Sequence, residues 1–350
     1  MKVVCLIMAG GKGERFWPRS RNDMPKQFLS IDQSGDTLIQ KTVKRISPLV
    51  DIKDVFVITN ERYVNIVKKQ LDGIPSDNVI SEPVGRNTAP AIGLSLEVMK
   101  RKYDDCVMIV LPSDHIILNE KQFISDMKEV VEFAKENDAL LTMGIKPTNP
   151  NTGYGYIQLG DKVTDSIYKV NSFKEKPSLE VAKEYLASGQ YAWNSGMFIW
   201  KLSSIEKALK QYLPNQYKLL SEHYGQDDFN DTFGKVESIS IDYGVMEKAH
   251  NIYVINGDFA WDDVGSWLAL ERINKVDENN NCILTEKIEM TRTSGTTVLS
   301  NGDKLIATVG VKDLVIVETD DVVLVASKDE VSNVKEIIAQ LKAKKEDKYL

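Results

Sequence analysis

The stretch that decides the fold is Val3-Val4-Cys5-Leu6-Ile7-Met8-Ala9-Gly10-Gly11-Lys12-Gly13-Glu14-Arg15. Residues 3–8 form a short apolar run, which is typical of a strand buried on both faces of a parallel sheet. The glycines that follow let backbone N–H groups turn toward a bound phosphate. The spacings of a Walker loop and of a dinucleotide-binding turn are both missing. By itself the loop indicates no more than phosphate binding, and a bare glycine turn is more often structural.

Further along the chain, apolar runs alternate with helical patterns. The strand-like runs are residues 55–59, 107–111 and 140–144, and the helical stretches are residues 61–71, 89–102 and 121–136. This alternation predicts an α/β fold, a Rossmann-like mixed and mostly parallel sheet flanked by helices. The loops that follow the strands are expected along one edge, where such folds bind ligands.

The pattern changes twice further along the chain. From Gly153 onward, residues 154–159 and 167–173 predict an antiparallel pair, followed by a helix at 178–187 and a strand at 197–200. Beyond about residue 273, short strands with turn signals predict a small β-rich, β-helix-like domain that ends in an amphipathic helix. We therefore predict a catalytic domain over residues 1–272 and a small C-terminal domain over residues 273–350.

Composition excludes several classes of protein. The chain has 350 residues and a formal charge of -7, with 42% hydrophobic and 27% charged residues, as expected of a globular protein. This charge argues against a nucleic-acid surface. The three cysteines are far apart and are interpreted as buried thiols. No segment has the length of a membrane span, so we expect a cytoplasmic protein that binds neither nucleic acid nor membrane.

Four cations follow the loop within about a dozen residues: Arg15, Arg19, Arg21 and Lys26. In an acidic protein, such a concentration of positive charge favours a phosphate cleft over a solvated face.

Two carboxylate motifs suit a magnesium ion, which takes one or two protein carboxylates plus phosphate oxygens. Asp114 follows the strand-like run 107–111, at the edge where ligands bind. The pair Asp262 and Asp263 could supply a second carboxylate. A helix cap or turn is an equally good interpretation of Asp114, and one of the paired aspartates could serve only as a cap.

Other polar residues have a place in a sugar-phosphate site. Glu175 and Lys176 follow a predicted strand, where a carboxylate accepts sugar hydroxyls and a lysine neutralises a phosphate. Asn194 precedes an apolar strand, and Arg86 and Asn87 open a helical stretch where a nucleotide could reach them.

Taken in order, these segments resemble the sugar-nucleotide pyrophosphorylases. The resemblance covers about residues 3 to 270, and Phe16-Trp17-Pro18 points to the mannose and guanosine branch, as do two further segments: Arg86-Asn87-Thr88-Ala89-Pro90 and Asp242-Tyr243-Gly244-Val245-Met246-Glu247.

The resemblance implies a role for each matching residue. Asp114 and Asp263 would hold Mg²⁺, Arg15 and Lys26 would grip the triphosphate, and Lys176 would take the sugar phosphate. Sugar hydroxyls would bind Glu175, Asn194 and the backbone at Gly155. The nucleotide would contact a larger set: Ala9, Gly10, Gly11, Gly13, Glu82, Arg86, Asn87 and Ser113.

The implied reaction transfers GMP from GTP to α-D-mannose 1-phosphate, with Mg²⁺ as cofactor. The resemblance also implies a homodimer formed through the β-rich region. Many bacterial relatives continue into an isomerase-type domain that this sequence does not reach, so we expect transferase activity alone. Two alternatives stay open: a relative that uses another sugar or base, and a catalytically silent nucleotide-sugar sensor.

Overall fold

The computed structural model describes residues 1–32 and 34–350. Its strands, in chain order, are β1 (Lys2–Met8), β2 (Val55–Asn60), β3 (Val79–Glu82), β4 (Cys106–Pro112), β5 (Ile116–Ile117), β6 (Leu140–Ile145), β7 (Tyr156–Lys162), β8 (Ile167–Lys174), β9 (Tyr191–Lys201), β10 (Ile252–Gly257), β11 (Trp261–Asp262), β12 (Cys282–Leu284), β13 (Ile288–Thr291), β14 (Thr297–Ser300), β15 (Ile306–Val309), β16 (Leu314–Glu318) and β17 (Val323–Ser327).

The α-helices, in chain order, are α1 (Leu38–Ile46), α2 (Val64–Gln70), α3 (Thr88–Lys100), α4 (Glu120–Glu136), α5 (Leu179–Ser188), α6 (Leu202–Tyr212), α7 (Pro214–His223), α8 (Phe229–Phe233), α9 (Ala269–Ile273) and α10 (Val334–Ala343). In the described part of the chain, no helix is both long enough and apolar enough to cross a membrane.

Contacts divide the chain into two compact units. We call the first the sheet unit: Met1–Gly10, Thr42–Ser113 and Asn119–Trp261. We call the second the coil unit: Gly11–Lys41, Asp114–Leu118 and Asp262–Leu350. Each unit is assembled from stretches that are distant in sequence. The division into domains at residues 1–272 and 273–350 stays a prediction.

The sheet unit is built on nine strands in the order β3-β2-β1-β4-β9-β6-β10-β8-β7. Seven strands run in one direction, and β8 and β9 run in the other. In β1, Val4, Cys5, Leu6 and Ile7 are all fully buried, so both faces of this strand are covered, as its continuous apolar run predicts. The mixed, mostly parallel sheet is confirmed.

Strand β9 differs from its prediction. It was expected at residues 197–200 but spans Tyr191–Lys201, so Asn194, Ser195 and Gly196 lie inside it. The strand continues through these polar residues because they find partners there: the Ser195 hydroxyl donates to the carbonyl of Met143 at 2.6 Å. Pairing with β4, β6 and β7 also extends the strand.

The coil unit contains two parallel ladders, β12-β14-β16 and β13-β15, with β17 antiparallel on the edge of the first. The predicted β-helix-like region is thereby confirmed. Phe16 packs against Trp267 in its core, with ring centroids 4.8 Å apart. Val334 and Ile338 of α10 are buried, whereas the adjacent Ile337 is 39% exposed, because neighbouring positions on a helix point to different sides.

Candidate active site

The carboxyl ends of the parallel strands β3, β1 and β4 lie along one edge of the sheet unit. Glu82 ends β3, and Ser113 follows β4, where its N–H donates to the carbonyl of Met8 at 3.2 Å. A Cβ built on Gly10 would stand 3.3 Å from Glu82 Oε2. The fold thus brings Gly10, Glu82 and Ser113, all predicted to contact the nucleotide, to one edge of one sheet.

Glu82 is the buried acid of this edge. Its side chain is 5% exposed, and its Oε1 has no hydrogen-bond partner. Burial raises the pKa of Glu82 to about 7. A buried acceptor without a donor costs free energy, so this carboxyl group is suited to accept a hydrogen bond from a ligand.

Arg86 and Asn87 are also engaged in the fold. The Arg86 guanidinium donates to the carbonyl of Gly234, while its buried Nε has no partner. Asn87 has φ 72°, and its side chain accepts the N–H of Thr88 at 2.8 Å, so it caps α3. A capping role alone accounts for an asparagine at this position, and the nucleotide role of both residues stays a prediction.

The residues predicted to bind the sugar are close together in the sheet unit. A Cβ on Gly155 would collide with Glu175 Oε2 and stand 3.4 Å from the Asn194 side chain. The Asn194 N–H donates to the carbonyl of Gly155 at 2.8 Å. Lys176 Nζ lies 2.8 Å from Glu175 Oε1, and this hydrogen bond raises the pKa of Lys176. We call Gly155, Glu175, Lys176, Asn194 and the neighbouring Asp242 the sugar cluster.

In the coil unit, the glycine loop packs directly on the segment that carries Lys26. Gly13 has φ 62°, and a Cβ built on it would collide with the Cβ of Lys26. The Gln27 amide donates to the carbonyl of Gly11 at 3.0 Å, and the Ser20 hydroxyl donates to that of Gly13 at 2.7 Å. Only glycine tolerates this combination of positive φ and close approach.

Lys26 is the buried cation of the coil unit. Its Nζ lies 2.7 Å from Asp114 Oδ2 and donates to the carbonyls of Val264 at 2.8 Å and Asp263 at 3.2 Å. Burial raises the pKa of Asp114, but the charges of Lys26 and His115 and the hydrogen bond from Lys26 outweigh it, so the pKa lies below its ordinary value. Lys26 therefore joins the two segments that carry the predicted metal ligands. We call Lys26, Asp114 and Asp263 the lysine cluster.

The adjacent aspartates 262 and 263 have different surroundings. Asp262 Oδ1 accepts the N–H of Val264 at 2.8 Å, and its Oδ2 pairs with Arg272 at 2.5 Å. Asp262 thus holds the backbone of Val264, which has φ 49°. This structural role for Asp262 leaves Asp263 as the candidate metal ligand of the pair.

The four cations that follow the glycine loop differ in their partners. Arg21 pairs with Asp321 at 2.7 Å, and Arg19 donates to the carbonyl of Ser30 at 3.3 Å. Arg15 is exposed and makes no ion pair with a described residue. Arg21 therefore has an anionic partner within the coil unit, and the interpretation of the four cations as a phosphate cleft stays a prediction.

Comparisons with known proteins point to one family. A family model for nucleotidyl transferases matches residues 4–280, and a model for the mannose-phosphate isomerase/GMP-like β-helix domain matches residues 291–341. The mannose-1-phosphate guanylyltransferase of Klebsiella pneumoniae is 40% identical, over 98% of this chain and 75% of its own length. The mannose-1-phosphate guanylyltransferase RfbM of Salmonella typhimurium is also 40% identical, over 100% and 74%.

The chain belongs to the mannose-1-phosphate guanylyltransferases of the nucleotidyl transferase family. Among solved structures, mannose-1-phosphate geranyltransferase from Thermus thermophilus matches with a TM-score of 0.90 at 35% identity, covering 98% of this chain and 100% of the other. The resemblance predicted from the motifs is confirmed.

Nucleotidyl transferases of this family generally use a divalent metal, and the lysine cluster fits such an ion. Asp114 and Asp263 offer carboxylate oxygens, the donors that hard cations prefer. Across residues 1–32 and 34–350, no group of three or more His, Cys, Asp or Glu side chains forms a metal cage. An ion held by two carboxylates would complete its shell with water and substrate phosphates, as Mg²⁺ does.

Asp242 contacts the predicted sugar residues, but the sequence motifs assigned it no role. It belongs to the segment 242–247 that supported the resemblance, and the Asn194 amide donates to its Oδ1 at 2.9 Å. The signal that could have found it is a carboxylate at the start of a motif specific to this branch.

Proposed function

We propose that the protein transfers GMP from GTP to α-D-mannose 1-phosphate and releases pyrophosphate, with Mg²⁺ as cofactor. The observation that carries this proposal is the lysine cluster, in which a buried ammonium group joins two carboxylate segments beside the glycine loop. Family membership supports the choice of sugar and base.

An oxygen of the sugar phosphate attacks the α-phosphorus of GTP. The new O–P bond forms as the bond to the β-phosphate oxygen breaks, and pyrophosphate leaves with the electron pair. Because no side chain needs to become covalently attached, the protein acts by aligning two anions and offsetting their charge. Arg15, which is exposed next to the loop, and Lys26 stabilise the triphosphate and the leaving group.

Asp114 and Asp263 would hold the metal. When bound, Mg²⁺ supplies Lewis-acid stabilisation of the phosphate oxygens. The low pKa of Asp114 keeps this carboxylate ionised and able to take a cation. Lys26 keeps the segment of Asp263 in contact with Asp114 through its two backbone carbonyl bonds.

Glu82 selects the base. Guanine presents two adjacent donors, the N1–H and the exocyclic amino group, and an ionised carboxylate accepts from both. The partnerless Oε1 and the burial of Glu82 support this role, because a base without these donors would leave the carboxylate unsatisfied. The backbone from Ala9 to Gly13, with Arg86, Asn87 and Ser113, makes up the rest of the nucleotide contacts.

The sugar cluster takes mannose 1-phosphate. Glu175, Asn194 and the backbone of Gly155 bind hydroxyls, and Lys176 binds the phosphate. Lys176 is 60% exposed at its side chain, so its ammonium group can exchange Glu175 for a phosphate.

A pyrophosphate-release assay over a panel of nucleoside triphosphates and sugar 1-phosphates tests the proposal. We expect GTP with mannose 1-phosphate to give the highest kcat/KM and EDTA to abolish release until Mg²⁺ is restored. Release with a different best pair would identify another sugar-nucleotide pyrophosphorylase. Absence of release with every pair would favour a silent nucleotide-sugar sensor.

The protein also forms a homodimer in this proposal, through the β-rich region. Val323 and Val325 on the edge strand β17 are each 60% exposed, and Val309 is 65% exposed. An exposed apolar edge strand favours association with a second copy. We expect Val325→Lys to convert a dimer into a monomer in size-exclusion chromatography with light scattering; a monomeric wild-type protein would contradict this.

A further inference from the structure

Asp242 begins a π-helical turn, Asp242–Met246, whose later residues Gly244, Val245 and Met246 are buried. The turn is anchored where the Ile241 N–H donates to the Thr88 hydroxyl at 2.8 Å. Single π-helical turns are rare in proteins, but those that occur often lie at functional sites. The buried residues of this turn fix the position of the carboxylate that precedes them.

The Asn194 side chain connects Asp242 to the sugar cluster. Its amide nitrogen donates to Asp242 Oδ1 at 2.9 Å, and its oxygen accepts the N–H of Gly196 at 3.1 Å and the Thr142 hydroxyl at 3.2 Å. These bonds fix which way the amide points. In the part of the chain that the structure describes, Asn194 is the only other residue that hydrogen-bonds to the Asp242 carboxylate, so this group retains acceptor capacity.

The sugar cluster contains two carboxylates and one lysine. Burial, followed by the nearby charge of Glu175, raises the pKa of Asp242 to about 6, while Lys176 and the bond from Asn194 act in the opposite direction. A carboxylate in these surroundings is stabilised by a ligand that donates hydrogen bonds without adding negative charge nearby. A polyhydroxylated ring does this.

We propose that Asp242 binds the sugar directly, accepting a hydrogen bond from a ring hydroxyl that Glu175 does not reach. The inference rests on the proposed function, since it assigns a second carboxylate to the same sugar-phosphate site. Asp242 also positions Asn194, so an experiment has to separate the two roles.

Asp242→Asn makes this separation. The new amide oxygen still accepts the bond from Asn194, so the positioning role is kept, but an NH₂ group replaces the second acceptor. We expect the KM for mannose 1-phosphate to rise about ten- to hundredfold, because a hydrogen bond to a charged group is lost, while the KM for GTP changes less than about twofold. Asp165→Asn, on an exposed side chain, is the matched control and should resemble the wild type.

Monodeoxy analogues of mannose 1-phosphate identify the hydroxyl. With the wild type, one analogue should give a much lower kcat/KM than mannose 1-phosphate. With D242N, the same analogue and mannose 1-phosphate should give similar kcat/KM values, as expected when the substitution and the missing hydroxyl remove the same bond. A normal sugar KM in D242N, or equal sensitivity of D242N and wild type to every analogue, would overturn the proposal. If D242N does not fold, Asp242→Ser is measured against the same analogues.

Turnover by the wild type tests the proposed function separately. If the wild type releases no pyrophosphate, calorimetric titration with mannose 1-phosphate still decides the role of Asp242. Weaker binding to D242N than to the wild type would support it, and equal binding or no binding to either would overturn it.

Discussion

The lysine cluster and the sugar cluster each combine carboxylates with one lysine, yet their charges are balanced differently. In the lysine cluster the ammonium of Lys26 is buried against Asp114, and the pKa of that acid is lowered. In the sugar cluster the ammonium of Lys176 is largely exposed, and the pKa of Asp242 is raised to about 6.

This contrast indicates which ligands each cluster suits. Ionised carboxylates whose positions are fixed by a cation suit a metal and phosphates, whose charges are large. Carboxylates that a nearby cation balances incompletely suit hydroxyl donors, which satisfy an acceptor without changing the net charge. Substitutions that remove charge should therefore affect catalysis in the first cluster and sugar affinity in the second.

The largest effect is expected from the lysine cluster itself. Lys26→Met and Asp114→Asn should each lower kcat by at least about a hundredfold, because a preorganised charge near the transferring phosphate is lost. Steady-state kinetics measures this, with circular dichroism to show that the variant is folded. Near-normal kcat in a folded variant would remove that residue from the mechanism.

Asp262 and Asp263 are neighbours in the coil unit, but their substitutions should have different effects. Asp263→Ala should lower kcat about thirty- to hundredfold through loss of a metal ligand, with little change in thermal stability. Asp262→Ala should instead lower the free energy of unfolding by about 1–2 kcal/mol, because the Val264 N–H loses its acceptor, and should keep kcat. Thermal denaturation and steady-state kinetics on both variants test these expectations. Loss of kcat in Asp262→Ala and loss of stability in Asp263→Ala would exchange the two roles.

The ionisation of Glu82 should control how well the enzyme uses GTP. In the wild type, kcat/KM for GTP should fall as the pH drops below about 7, because protonation of Glu82 removes an acceptor. Glu82→Gln should abolish this pH dependence and lower kcat/KM for GTP about tenfold. It should also reduce the preference for GTP over ITP, which lacks the exocyclic amino group. An unchanged GTP/ITP ratio would assign base selection elsewhere.

The smallest effect is expected in the sugar cluster, where Lys176 is exposed. Glu175→Gln should raise the KM for mannose 1-phosphate about fivefold to tenfold, because one charge-assisted bond to a hydroxyl is weakened, and should leave the KM for GTP unchanged. Glu180→Gln on the exposed face of α5 is the control. A normal sugar KM would remove Glu175 from the site.

Much of the fold was predictable because it depends on local pattern. The apolar run of β1 predicts a strand covered on both faces, and the alternation of strands and helices predicts the mixed sheet. The short strands near the C-terminus predict the ladders of the coil unit. Strand β9 was predicted too short, because Asn194 and Ser195 find hydrogen-bond partners in the neighbouring strand β6, Thr142 and Met143, that no local pattern reveals.

The site was predictable only as a set of residue types. Arg21 and Asp321 are 300 residues apart in sequence, so their ion pair could not be anticipated. The different surroundings of Asp262 and Asp263 depend on Arg272 and on the positive φ of Val264. Asp242 was overlooked because its partner Asn194 is 48 residues away. Long-range pairing determines which charges remain for substrates.

The close approach of Gly13 to Lys26 affects how variants of the glycine loop should be understood. A methyl group at position 13 would collide with the Lys26 backbone and displace its ammonium from Asp114. An inactive Gly13 variant would therefore not demonstrate that the loop contacts phosphate. The same glycine acts as a spacer, and its smallness sets the position of a charge thirteen residues later in the chain.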